Sequence, residues 1–207
     1  MSVERLEPLV ALDLAQTGAA WLVARIGPDD WERPTPCDEW RVRDVVNKMT
    51  ASTITFAYFG RRDRPDPPYD LVHPTELLGE DPLAVYTRAA MDCREVWRSP
   101  GALEGTAPST VGEFPAKAVL NARIFDTTIL TWDVARALDL DHGIGEPLAA
   151  YVLRVARALV PTVRGVNPGR YKDPAELDES RPLVDQMIAA TGRNPGWSRV
   201  RPAHVPA

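Results

Sequence analysis

The segment from about Phe114-Pro115 to Leu138 is apolar on most sides when its residues are set at helical spacing. A helix of that kind cannot lie on a surface, so it must be the central helix of a bundle. Its polar interruptions then carry the interest. Arg123, Asp126, Leu130 and Asp133 fall on one face at spacings of three and four.

The rest of the chain supplies partners for such a helix. Leu6, Leu9, Val10, Ala19, Leu22, Val23 and Ile26 recur with helical period, with Pro8 in the first turn and Gly27-Pro28 as the stop. This predicts a first helix over about Leu6 to Ile26. Val42, Val45, Val46, Met49, Phe56 and Phe59 define a second, over about Val42 to Phe59. Asp44, Lys48, Ser52 and Thr55 follow one another along its flank. Residues 61–80 carry Pro65, Pro67, Pro68 and Pro74 and read as a long crossover connection. Asp81-Pro82 starts a third helix that runs to about Arg98. A fifth is predicted over Pro147 to Val163, then a loop over Gly165 to Asp178, and a short last helix from Ser180-Arg-Pro182 to Gly192. Strand-like alternation is scarce, so the expected fold is all-α. A single domain is expected over 1–207, with a four-helix core in 1–141 and a C-terminal helical extension and tail in 142–207.

Composition removes several function classes. A net charge of −5 and dispersed basic residues give no electrostatic footing for nucleic acid. No apolar run approaches the ~20 residues of a membrane span. Glu4, Glu7 and Asp13 interrupt any basic-then-apolar leader, which points to a cytoplasmic protein. Cys37 and Cys93 are too few for a disulfide framework. A reactive role for Cys37 is open, but a small buried hydrophobe is the favoured reading. Trp31 and Trp40 read as packing anchors around Pro34-Thr-Pro-Cys37, where Asp38 or Thr35 is expected to supply a capping oxygen. Trp132-Asp133 reads as scaffold, the indole packed between helices and Asp133 bonded to a neighbouring helix or an arginine.

The block Pro34-Thr-Pro-Cys-Asp-Glu-Trp-Arg-Val-Arg-Asp-Val-Val-Asn-Lys-Met49 resembles the start of the second helix in the mycothiol-dependent maleylpyruvate isomerase branch of the DinB-like superfamily. Asp126-Thr-Thr-Ile-Leu130-Thr-Trp-Asp133 resembles that branch's second metal segment, and Thr191-Gly-Arg-Asn-Pro195 the close of its domain. The resemblance implies a DinB-like four-helix bundle with a long crossover and C-terminal helices. It also implies a metal triad of histidine, glutamate and histidine, and a low-molecular-weight thiol. The three triad positions here hold Lys48, Asp126 and Leu130.

Lysine must lose its proton to ligate a metal, leucine has no donor atom, and one carboxylate is too few for Zn²⁺. His73, His142 and His204 lie in loops or the tail without ligand spacing. No metal site and no cofactor are therefore expected. Lys48 and Asp126, if they face each other, form either a buried salt bridge or a catalytic pair. In the second case Lys48 anchors an anionic or carbonyl-bearing ligand, or acts as a general acid. Arg123 adds an oxyanion contact or neutralises Asp126, and Thr127, Thr55 and Ser52 are the orienting hydroxyls. The ligand-binding candidates are Arg123, Thr127, Leu130, Ser52 and Thr55.

Three functions follow. The first is a metal-independent small-molecule enzyme of isomerase or cyclase type. The second is a non-catalytic small-molecule-binding or accessory protein. The third is a divergent metal- and thiol-dependent isomerase or transferase. The expected partner is a small molecule rather than nucleic acid or membrane, and homodimerisation is left open.

Overall fold

The computed structural model describes residues 6–38, 40–166, 171, 173 and 179–199. Six helices are joined in the order α1 (Pro8–Val23), α2 (Val42–Gly60), α3 (Pro82–Arg98), α4 (Ala116–Leu138), α5 (Glu146–Val166) and α6 (Leu183–Ala189). Helix α4 packs against α1, α2 and α5, and α3 closes the bundle against α1 and α2. Helix α6 packs on α5. No helix among the described residues is long and apolar enough to cross a membrane.

Helix ends follow local chemistry. Pro8 occupies the first turn of α1, so Leu6 and Glu7 precede it. The helix ends at Val23 rather than Ile26, because the chain tightens into i→i−3 bonds from Arg25 N to Leu22 O and Ile26 N to Val23 O. Of the two residues expected to supply a capping oxygen at the turn of residues 34–37, Thr35 does so. The Thr35 hydroxyl accepts from Cys37 N and donates to Trp40 O, closing the preceding turn. The start of α2 is satisfied instead by Asp44, whose Oδ2 accepts from Arg41 N at 2.8 Å. Asp81 caps α3 as expected, its Oδ1 accepting from Ala84 N at 2.9 Å. Helix α4 terminates on Asp139 in the left-handed region (φ 57°), with Leu140 N bonded back to Ala135 O.

Helices α5 and α6 also depart from their expected bounds. Helix α5 continues through Pro161 to Val166, beyond Val163. Helix α6 begins at Leu183 and stops at Ala189, three residues before Gly192, whose N–H closes the end on Ala189 O. The loop expected over 165–178 lies mostly outside the described residues.

One element was not anticipated. Strands β1 (Thr106–Ser109) and β2 (Gly112–Pro115) form an antiparallel hairpin between α3 and α4, pairing Thr106 with Pro115 and Ser109 with Gly112. Each strand is four residues and contains a proline, which leaves too short a pattern to read as strand. The hairpin lies against α2 and α4.

The core divides into two apolar clusters. One joins Phe56, Phe59, Ile124, Phe125 and Ile129 to α5 and α6, and the other joins Val45, Val46 and Met49 to Leu130, Val134 and α1. Where α2 and α4 pass from one cluster to the other, their facing turns are polar.

Candidate functional site

Four side chains on those turns form one network. Lys48 Nζ donates to both oxygens of Asp126, at 3.0 Å to Oδ1 and 3.3 Å to Oδ2. Ser52, one turn after Lys48, donates to Oδ2 at 2.7 Å. Arg123, one turn before Asp126, donates through Nη1 to Oδ2 at 3.1 Å and through Nη2 to Thr53 Oγ1 at 2.7 Å. The i, i+4 spacing on α2 and the i, i+3 spacing on α4 place each pair on the facing turns. Arg123 is fully buried, and the Lys48 side chain is 6% exposed against 16% for Asp126. Burial pushes the Asp126 pKa up, but the charges of Lys48 and Arg123, with the bonds from Ser52 and Lys48, bring it down to about 2. Asp126 is therefore an anion at neutral pH.

The remaining sequence candidates lie elsewhere in the packing. Thr55 and Thr127 donate to the carbonyls of Ala51 and Arg123 in their own helices, so neither hydroxyl orients a group at Asp126. Leu130 is buried in the second apolar cluster.

A chamber of about 100 Å³ opens beside the network. Ser52 and Asp126 lie at its buried end, while the exposed Thr110, Val111, Ala118 and Thr162 stand at its mouth. Phe56, Phe114, Val119, Ala122, Leu159 and Tyr171 supply apolar walls. Lys48 and Arg123 are not among the lining residues. Both cations stand behind the carboxylate. Sequence reasoning missed the chamber because the walls facing α2 and α4 come from the hairpin, α5 and Tyr171. The apolar Leu159 and Val163, flanking Thr162 on α5, were the available signal.

A second buried ion pair fixes the C-terminal segment. Arg193 grips Asp133 with Nη2 to Oδ2 at 2.8 Å and Nε to Oδ1 at 2.9 Å. Burial works against the arginine's charge, yet the Asp133 carboxylate and its hydrogen bonds raise the Arg193 pKa above the ordinary value. Trp132 is buried beside it in the first apolar cluster. Cys37 lies within the electrostatic reach of this pair, and burial with the Asp133 charge pushes its thiol up to about 11. A thiol so protonated is a poor nucleophile. Cys93 is buried, and both cysteines are free.

The donor chemistry at Lys48, Asp126 and Leu130 does not fit a divalent ion. An ammonium lies 3.0 Å from the one carboxylate, and the third position is a leucine packed in the core. Among the described residues, no three His, Cys, Asp or Glu side chains gather where they could share an ion. His73 is exposed, and His142 Nδ1 accepts from Ile144 N in its own loop. His204 lies outside the described residues.

The chain is therefore a helical bundle with a polar layer on facing turns of α2 and α4. The chain belongs to the mycothiol maleylpyruvate isomerase N-terminal domain family, whose sequence pattern matches residues 12–135. Uncharacterized proteins from two strains of Mycobacterium tuberculosis, CDC 1551 / Oshkosh and H37Rv, are each 30% identical over 190 residues. Those alignments cover 91% of this chain and 98% of each relative. The crystal structure of the mycothiol-dependent maleylpyruvate isomerase superposes with a TM-score of 0.67 at 13% identity, covering 95% of this chain and 93% of that one. A His-to-Ala mutant of that enzyme gives 0.61 at 13% identity, covering 88% and 80%. At this identity the likeness establishes the fold alone.

Proposed function

We propose that the chain binds a small, largely apolar molecule in the chamber above Ser52 and Asp126, without a divalent ion. The observation that carries this reading is the chamber itself, with apolar walls around a buried polar end. Its ~100 Å³ is of the order of the roughly 150 Å³ cavity that holds a benzene ring in an engineered protein. A ring or short branched chain fits that space, and larger substituents extend through the mouth.

Binding without turnover is the better-supported form of this reading. A general acid or base works best with a pKa near the working pH. Asp126 titrates near 2 and the Cys37 thiol near 11. The rearrangement-enzyme reading also needs Lys48 in contact with the ligand, whereas the lysine is seated behind Asp126. The metal- and thiol-dependent reading needs ligands that the Lys48, Asp126 and Leu130 positions do not offer.

The test is a titration with toluene, followed by ligand-observed NMR, on the wild type and on Ala122→Trp. The substitution places an indole in the chamber wall. Saturable binding that survives EDTA and disappears in Ala122→Trp supports the reading. Equal signals from both proteins would refute it.

A further inference from the structure

The side-chain donor that lines the buried end of the chamber, the Ser52 hydroxyl, is already committed to the protein. The Ser52 hydroxyl donates to Asp126, and the two cations that might have met a ligand, Lys48 and Arg123, do not line the chamber and donate to the same carboxylate. Two hydroxyls near the mouth are committed as well. Ser109 donates to Gly112 O, and Thr162 donates to Ala158 O. What these groups still offer a ligand is lone pairs. Asp126 Oδ2 takes three protein donors, while Oδ1 takes one, Lys48 Nζ at 3.0 Å. A carboxylate oxygen accommodates about two hydrogen bonds, so Oδ1 has room for one more donor.

Charge narrows the class further. An anionic ligand at the buried end would face a carboxylate oxygen and a hydroxyl oxygen, with no hydrogen to receive it. A cationic ligand would meet the Asp126 anion, but with the Lys48 ammonium and the Arg123 guanidinium directly behind it. A neutral O–H or N–H satisfies the remaining acceptor capacity of the carboxylate and meets neither repulsion.

We infer that the chamber selects a neutral hydrogen-bond donor on an apolar body, an alcohol or phenol rather than a carboxylate, phosphate or amine, with the Asp126 carboxylate as the recognising group. This rests on the proposed binding role and specifies its ligand chemistry. The polarity is set by position in the layer. Because Asp126 stands between the cations and the chamber, a site containing two cations presents a negative face.

Four ligands of nearly equal shape test it, namely toluene, benzyl alcohol, benzylamine and benzoate, each titrated into the wild-type protein at pH 7. A hydrogen bond to an ionised acceptor contributes enough to separate matched ligands by about tenfold. Benzyl alcohol is expected to bind about tenfold more tightly than toluene, and benzoate and protonated benzylamine more weakly than either. In Asp126→Asn, whose folding is checked by its melting curve, the deficit of benzoate against benzyl alcohol should shrink. If that variant does not fold, the wild-type order still decides. Benzoate or benzylamine binding most tightly would overturn the inference, as would equal affinities for toluene and benzyl alcohol, while leaving the binding role intact. Failure of all four ligands to bind would overturn the binding role and this inference with it.

Discussion

Lys48 Nζ stands 3.0 Å from Asp126 Oδ1, joining α2 to α4 across 78 positions of sequence. The two residues are the centre of a layer rather than an isolated bridge, because Ser52 and Arg123 bind the same carboxylate. One anion therefore holds three donors, and its removal leaves more behind than the loss of any one of them.

That asymmetry orders two substitutions. Removing one partner of a buried ion pair costs about 3–5 kcal/mol, chiefly because the other charge is left unpaired. Lys48→Met leaves Asp126 with Arg123 and Ser52. Asp126→Leu leaves Lys48 and Arg123 without it. Chemical denaturation should show both variants destabilised, Asp126→Leu the more severely. The reverse order would contradict the shared-carboxylate arrangement.

The same carboxylate predicts an acid limit. Its folded pKa of about 2 lies below the ordinary 3.8, so the folded state binds the proton less readily than the unfolded state. The stabilisation is complete above about pH 4, declines as pH falls toward 2, and is absent below that. A shift of this size corresponds to about 2 kcal/mol. Unfolding free energies of wild type and Ser52→Ala between pH 5 and pH 2 should converge at the acid end, since Ser52 acts by stabilising the charged form.

The Arg193–Asp133 clamp predicts a local effect. Arg193→Met strands a fully buried carboxylate and releases the segment after α6 from α4. Limited proteolysis should then cut near residues 190–197 at protein concentrations where the wild type is protected. An unchanged digestion pattern would show that Arg136, which donates to Pro195 O, suffices to hold the segment.

Packing between α2 and α3 gives a further prediction. A Cβ at Gly60 would lie 2.6 Å from Val96 Cγ1 and 3.1 Å from the Trp97 ring. Trp97 Nε1 also donates to Phe56 O, so the indole has little freedom to retreat. Gly60→Ala should lower stability by about 1–3 kcal/mol, the usual penalty for overpacking. Thermal melting checks it.

The six helices were legible because their apolar period and proline punctuation are local. The hairpin was not, since Thr106–Ser109 and Gly112–Pro115 carry only four residues each and two prolines between them. The missed hairpin also hid one side of the chamber, as Val111 and Phe114 reach it only through that fold. Lys48, Ser52, Arg123 and Asp126 could be brought together from helical spacing and the resemblance. Thr55 and Thr127 could not be separated from Ser52 by spacing alone. The difference is that their hydroxyls found a carbonyl one turn back, a competition common to Ser and Thr in helices. Asp133 was readable as half of a pair, but its partner lay 60 residues on, in a segment without periodicity.

The measurement that bears most directly on the account is a benzyl alcohol titration of wild type and Ala122→Trp in EDTA, with melting curves for both. The account predicts saturable binding to the wild type, no binding to Ala122→Trp, and similar melting temperatures. Binding that needs added Zn²⁺, or that survives the indole in the chamber, would contradict it.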